Sequence, residues 1–111
     1  MSQTVRQFWG PRGPGKVQLN LNWSIINHDS VVLVSVSEYK LQTPPSESYR
    51  IVTNATISVL NIQPHGPPFD ENGNHGVHFA VNVDSNAPVN IVTDITVLND
   101  GKPPAIIDYP S

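Results

Sequence analysis

The sequence predicts an all-β chain: a single-domain antiparallel β-sandwich of six to seven strands, immunoglobulin-like or jelly-roll-like in topology. Three observations carry that expectation. β-Branched residues dominate, with 14 Val, 9 Ile and 6 Thr against 4 Ala, 6 Leu and 1 Met, a balance that suits pleated surfaces better than helices. Several runs alternate apolar and polar residues with period two, as strands with one buried face do. At 111 residues, 38% apolar and 14% charged, the chain has the size and content of one folded domain.

Residues 1–16 read as a Gly/Pro-rich N-terminal arm and 17–111 as the sandwich domain. The arm holds Arg6, Arg12 and Lys16 and no acid, while the rest of the chain carries three cations and nine acids. A short strand over Gln3–Trp9 precedes Gly10-Pro11-Arg12-Gly13-Pro14-Gly15, which forbids regular helix. Val17 to Ile25 is the clearest strand, with Val17, Leu19, Leu21, Trp23 and Ile25 on one face and Gln18, Asn20, Asn22 and Ser24 on the other. Asn27-His28-Asp29-Ser30 supplies turn chemistry, so a hairpin into the β-branched run 31–41 is expected. Thr43-Pro44-Pro45 breaks the pattern because proline donates nothing to a ladder. It resumes over 49–61, with a bulge or bend at Asn54-Ala55.

Gln63 to Gly76 is the longest irregular segment, rich in Pro and Gly. Strands follow at 76–84 and 89–98, then an Asp100-Gly101 turn and a short last strand over Ala105–Tyr109. The expected core is Leu19, Leu21, Trp23, Val32, Val34, Ile57, Val59, Phe79, Val81, Ile91, Ile95 and Val97.

Several activities are disfavoured. Without Cys there is no disulfide, thiolate zinc site or thiol nucleophile. No Ser stands in a G-x-S-x-G elbow, and no Gly-rich loop opens a helix that would hold phosphate. The protein is therefore expected not to be an enzyme. Three cations beside Phe8 and Trp9 make a small footprint for nucleic acid against an acidic body, so no nucleic-acid partner is expected. No charged segment leads into an apolar one at the N-terminus, and no 18-residue apolar run exists. A cytoplasmic address is the default expectation, and release by a non-classical route is compatible with it. Asn22-Trp23-Ser24 and Asn54-Ala55-Thr56 match glycosylation sequons, read here as chance matches in a chain with 11 Asn.

Two constellations invite ligands. Asp70-Glu71-Asn72-Gly73-Asn74-His75 spaces oxygen donors as a Ca²⁺ loop does, with Asp70, Asn72 and Asn74 as candidate ligands, although position six is His75 rather than Gly and position twelve is Val81 rather than Glu. His65, His75 and His78 fall within fourteen residues, a set that suits Zn²⁺ or Ni²⁺ if the fold gathers them; surface histidines explain it more simply. Amides interleaved with aromatics also suit a glycan, because hydroxyls need paired donors and acceptors while the apolar sugar face stacks on a ring. The expected function is therefore a small lectin-like binding module using Asp70, Asn72, Asn74, His75 and Trp9. The competing expectation is a structural, self-assembling subunit. Homo-oligomers fit both, since Val31 to Ser37 lacks any charge or Pro to block edge pairing, with Phe8 and Trp9 as interface anchors.

Overall fold

The computed structural model describes residues 2–98 and 102–108 and is an all-β sandwich. Its strands are β1 (Ser2–Arg12), β2 (Gly15–Asn22), β3 (Val31–Lys40), β4 (Tyr49–Ile51), β5 (Thr56–His65), β6 (Gly76–Asp84) and β7 (Val89–Leu98), with a 3-10 turn at Pro45–Glu47. They form a four-stranded sheet, ordered β1-β7-β3-β4, and a three-stranded sheet, ordered β2-β6-β5. Every pair is antiparallel. The first strand pairs with the last and the second with the last but one, which is the wrapping of a jelly roll rather than the ABED/CFG order of an immunoglobulin domain.

The period-two pattern does what it predicts. All twelve expected core residues belong to one cluster, seven of them buried and Leu21, Trp23, Val34, Ile57 and Val59 packed at its margin. β6 and β7, central in their sheets, supply much of the rest through Val77, Val83 and Thr93.

Four expectations are corrected. β2 and β3 form no hairpin: residues 23–30 cross between the sheets, and Ile26, fully buried, plugs that end of the sandwich. The 49–61 run is two strands, broken at residues 52–55, and the bulge falls between Val59 and Asn61. β1 runs from Ser2 to Arg12 instead of Gln3 to Trp9. It tolerates Pro11 because that residue sits beyond a register shift on an edge strand. Ala105–Asp108 is exposed and irregular rather than a strand; Tyr109 and the Asn99–Gly101 part of the turn lie outside the described residues.

The β1–β2 corner depends on Gly13, whose φ is 84° and whose added Cβ would meet the Val83 side chain at 2.7 Å. Among the described residues, no helix is long and apolar enough to cross a membrane.

Candidate functional site

Along β2, the polar half of the alternation turns outward and exposes Lys16, Gln18, Asn20 and Asn22. The register lays them beside β6 and β5 in rows: Asn22, Gly76 and His65; Asn20, His78 and Gln63; Gln18, Ala80 and Asn61. At one end the 66–75 loop rises over this face. Together they enclose a cleft of about 460 Å³ lined by Asn20, Asn22, Gln63, His65, Phe69, Asp70, Glu71, Asn72, Asn74 and His78.

The loop is fastened by Asp70. Its Oδ1 accepts the Asn72 amide at 2.9 Å, and its Oδ2 lies 2.8 Å from His65 Nδ1. Burial pushes the Asp70 carboxyl up, but the backbone amides of Asn72 and Asn74 and the His65 ring outweigh it and hold the group below its ordinary value. His65 Nε2 lies 2.9 Å from Asn20 Oδ1, while Asn20 Nδ2 donates to Asn22 Oδ1 at 2.9 Å. The His65 ring is thus held between the loop carboxylate on one side and the β2 amides on the other. The ring lies close over β6 because residue 76 is glycine: a Cβ there would collide with the Leu21 carbonyl and stand 3.1 Å from His65 Cε1.

Phe69 is the aromatic surface of the cleft. It is 74% exposed, and His28 meets it edge to face with centroids 4.6 Å apart, so the turn at 27–30 braces the ring.

Among the expected site residues, Asp70, Asn72 and Asn74 all line the cleft, whereas Trp9 and His75 do not. Trp9 is 8% exposed, meets Phe79 edge to face and donates Nε1–H to Thr93 Oγ1 at 2.9 Å. This corrects both its expected roles, as a stacking platform and as an interface anchor, because its ring is already spent on the core. The His75 ring turns to the crossing segment, where Nδ1 donates to the Ile26 carbonyl at 2.9 Å. The Ca²⁺-type loop is also reinterpreted: both Asp70 oxygens are engaged by the protein, in an Asx turn and an imidazole pair. Among the described residues, no three His, Asp or Glu side chains are gathered to hold a metal ion, so His65, His75 and His78 do not converge.

Sequence reasoning missed Phe69, Gln63 and the floor position Gly76, whereas the strand-face pair Asn20 and Asn22 does line the cleft. Pro67-Pro68-Phe69 held the available signal: an aromatic in a long Pro-rich loop has no strand face on which to bury itself. No family model, curated protein or solved structure matches the chain.

Proposed function

We propose that the cleft is a carbohydrate-binding site and that the protein is a non-enzymatic binding module. The observation that carries this reading is the exposed Phe69 ring, braced by His28, standing over a cleft otherwise lined by amides, imidazoles and two carboxylates. An amide gives both donors and acceptors, which is what vicinal hydroxyls require, and the ring offers a face to axial C–H groups. The lining contains no hydroxyl, thiol or amine to serve as a nucleophile. Asp70 and Glu71 adjoin on one loop instead of opposing each other across a gap, as glycoside hydrolysis needs.

Binding is direct and independent of Ca²⁺, since the Asp70 carboxylate is engaged by His65 and the Asn72 amide. Each hydroxyl contact replaces one with water and contributes about 1 kcal/mol net, so affinity per site is modest and several sites on one particle raise it. A glycan array, run with and without Ca²⁺, tests the reading: equal binding in both conditions, lost in Phe69→Ala, is expected. A blank array for folded protein would remove it.

A second reading, a self-assembling subunit with no small ligand, has one observation in its favour. Ile106 and Ile107 are 96% and 70% exposed on the irregular C-terminal segment, apolar surface that a second copy would cover. Light scattering on wild type and on an Ile106→Ser, Ile107→Ser variant tests it; oligomers that persist in the variant would remove this segment as their cause.

A further inference from the structure

A second, smaller cleft of about 190 Å³ lies on the same outer face. It shares Gln63 and His78 with the first and continues past them to Gln18, Asn61, Ala80 and Lys16. The two are successive stretches of one groove. Its walls are the outward rows of β2 and β5, and its floor is β6, where Gly76, without a side chain, and the small, buried Ala80 flank His78, the residue both clefts share. From Lys16 to Asn22 it spans six residues of strand, roughly 20 Å at the usual rise.

A solvated sheet face is ordinarily polar, but this one is unusual in kind. Gln18, Asn20, Asn22, Asn61 and Gln63 are neutral amides, and Lys16 is the cation lining either cleft. Neutral donors and acceptors in rows on both sides of a low floor match a chain of hydroxyl-bearing units. A protein partner would instead want an apolar centre, and Phe69, at the far end, is the ring in the first cleft.

We propose that the groove holds an internal stretch of a linear oligosaccharide running along β6, with one unit stacked on Phe69 and later units over His78 and Ala80 toward Lys16. This rests on the carbohydrate reading above and adds its ligand class: an extended chain bound along its length, not a single terminal sugar. Successive units meet the same type of wall, so affinity grows with chain length until the groove is filled.

The test is calorimetric titration of the wild-type protein with ladders of one to six linked glucose, mannose, xylose or galacturonate units. The comparison variant is Ala80→Gln, which raises the floor far from Phe69. The expected result is affinity for one ladder that climbs with length. In Ala80→Gln the longest member weakens by about tenfold, the worth of one or two hydrogen bonds, while the shortest member binds as before. A Gln18→Ala, Asn61→Ala variant, which trims the walls and leaves the floor, should lose the same gain if Ala80→Gln fails to fold. Affinity that is flat with length and unchanged in the variants overturns the groove but leaves the Phe69 site standing. No binding of any ladder by folded wild-type protein overturns both, and a protein partner then becomes the better occupant.

Discussion

The two outer faces of the sandwich are built from the same alternation yet end in opposite states. On the four-stranded sheet, several polar groups answer one another, although Gln7 Oε1 and Ser37 Oγ are buried without a partner. Asp94 on β7 takes Arg6 Nε at 2.7 Å and Arg50 Nη2 at 2.7 Å, Thr4 and Thr96 share a 2.8 Å hydrogen bond, and Phe8 meets Tyr39 edge to face at 5.0 Å. Tyr39 Oη then donates to the Trp9 carbonyl at 2.6 Å. The three-stranded sheet carries amides and imidazoles around a groove, with one acid fastening the loop above it. A face whose charges and rings are matched internally has little left to offer a ligand; a face of neutral amides over a low floor does. The contrast lies in residue choice and not in topology.

The largest expected effect falls on both faces at once. Phe79, 1% exposed on β6, lies between the sheets against Trp9. Phe79→Ala should cost about 3–5 kcal/mol. Thermal unfolding followed by circular dichroism and by tryptophan fluorescence should move down together; separate transitions would mean that the two sheets do not share one core. Gly76→Ala should act on the groove side alone. The added methyl has nowhere to go between Leu21 and His65, and the strain should approach about 3 kcal/mol, with glycan binding lost before the fold is. A variant as stable and as active as wild type would show that the close approach of β2 and His65 to β6 is not needed.

Trp9→Phe separates the faces from the other side. It removes the Nε1 donor and leaves Thr93, fully buried, without that partner. A loss of about 2 kcal/mol is expected by denaturant titration. Glycan affinity should not change, because Trp9 lies outside the cleft; weakened binding at unchanged stability would restore Trp9 as a ligand contact.

The same pair of tryptophan and phenylalanine shows what a sequence discloses. Strand faces were legible because a period-two pattern constrains each residue to one side, and Leu19, Phe79, Val81 and Ile95 went where that pattern sends them. Partnership was not legible. Val17–Ile25 and Val31–Lys40 are separated by a turn signal, but whether such a segment folds back or crosses to the other sheet depends on whether Ile26 finds a cavity, a tertiary fact. Trp9, expected at the end of a short strand as a stacking surface or interface anchor, caps the core because β1 pairs with β7, some 84 residues away. Asp70, Asn72 and Asn74 were found through their spacing. Asn20 and Asn22 share a strand face that the alternation already shows, but Gln63 joins them only through registry with β6, which no local pattern encodes.

The smallest effect is electrostatic and belongs to the four-stranded face. The Arg6 hydrogen bond, opposed by partial burial and reinforced by the charges of Arg50 and Arg6, holds the Asp94 carboxyl below its ordinary value. A carboxyl depressed in the folded state contributes stability that is fully present above its unfolded value, about 3.9, and is lost as pH falls through the lower folded one. Asp94→Asn should therefore be less stable than wild type at neutral pH by about 1 kcal/mol or less, since the ion pairs are largely solvated. The gap should close as the pH falls below about 4, and it should narrow in high salt as the pairs are screened. Glycan binding on the opposite face should be untouched throughout. Denaturant titrations of both proteins at neutral and acid pH, each at two salt concentrations, measure this; a difference that persists unchanged at the lowest pH would mean that Asp94 acts through packing, and that the arginines beside it are incidental.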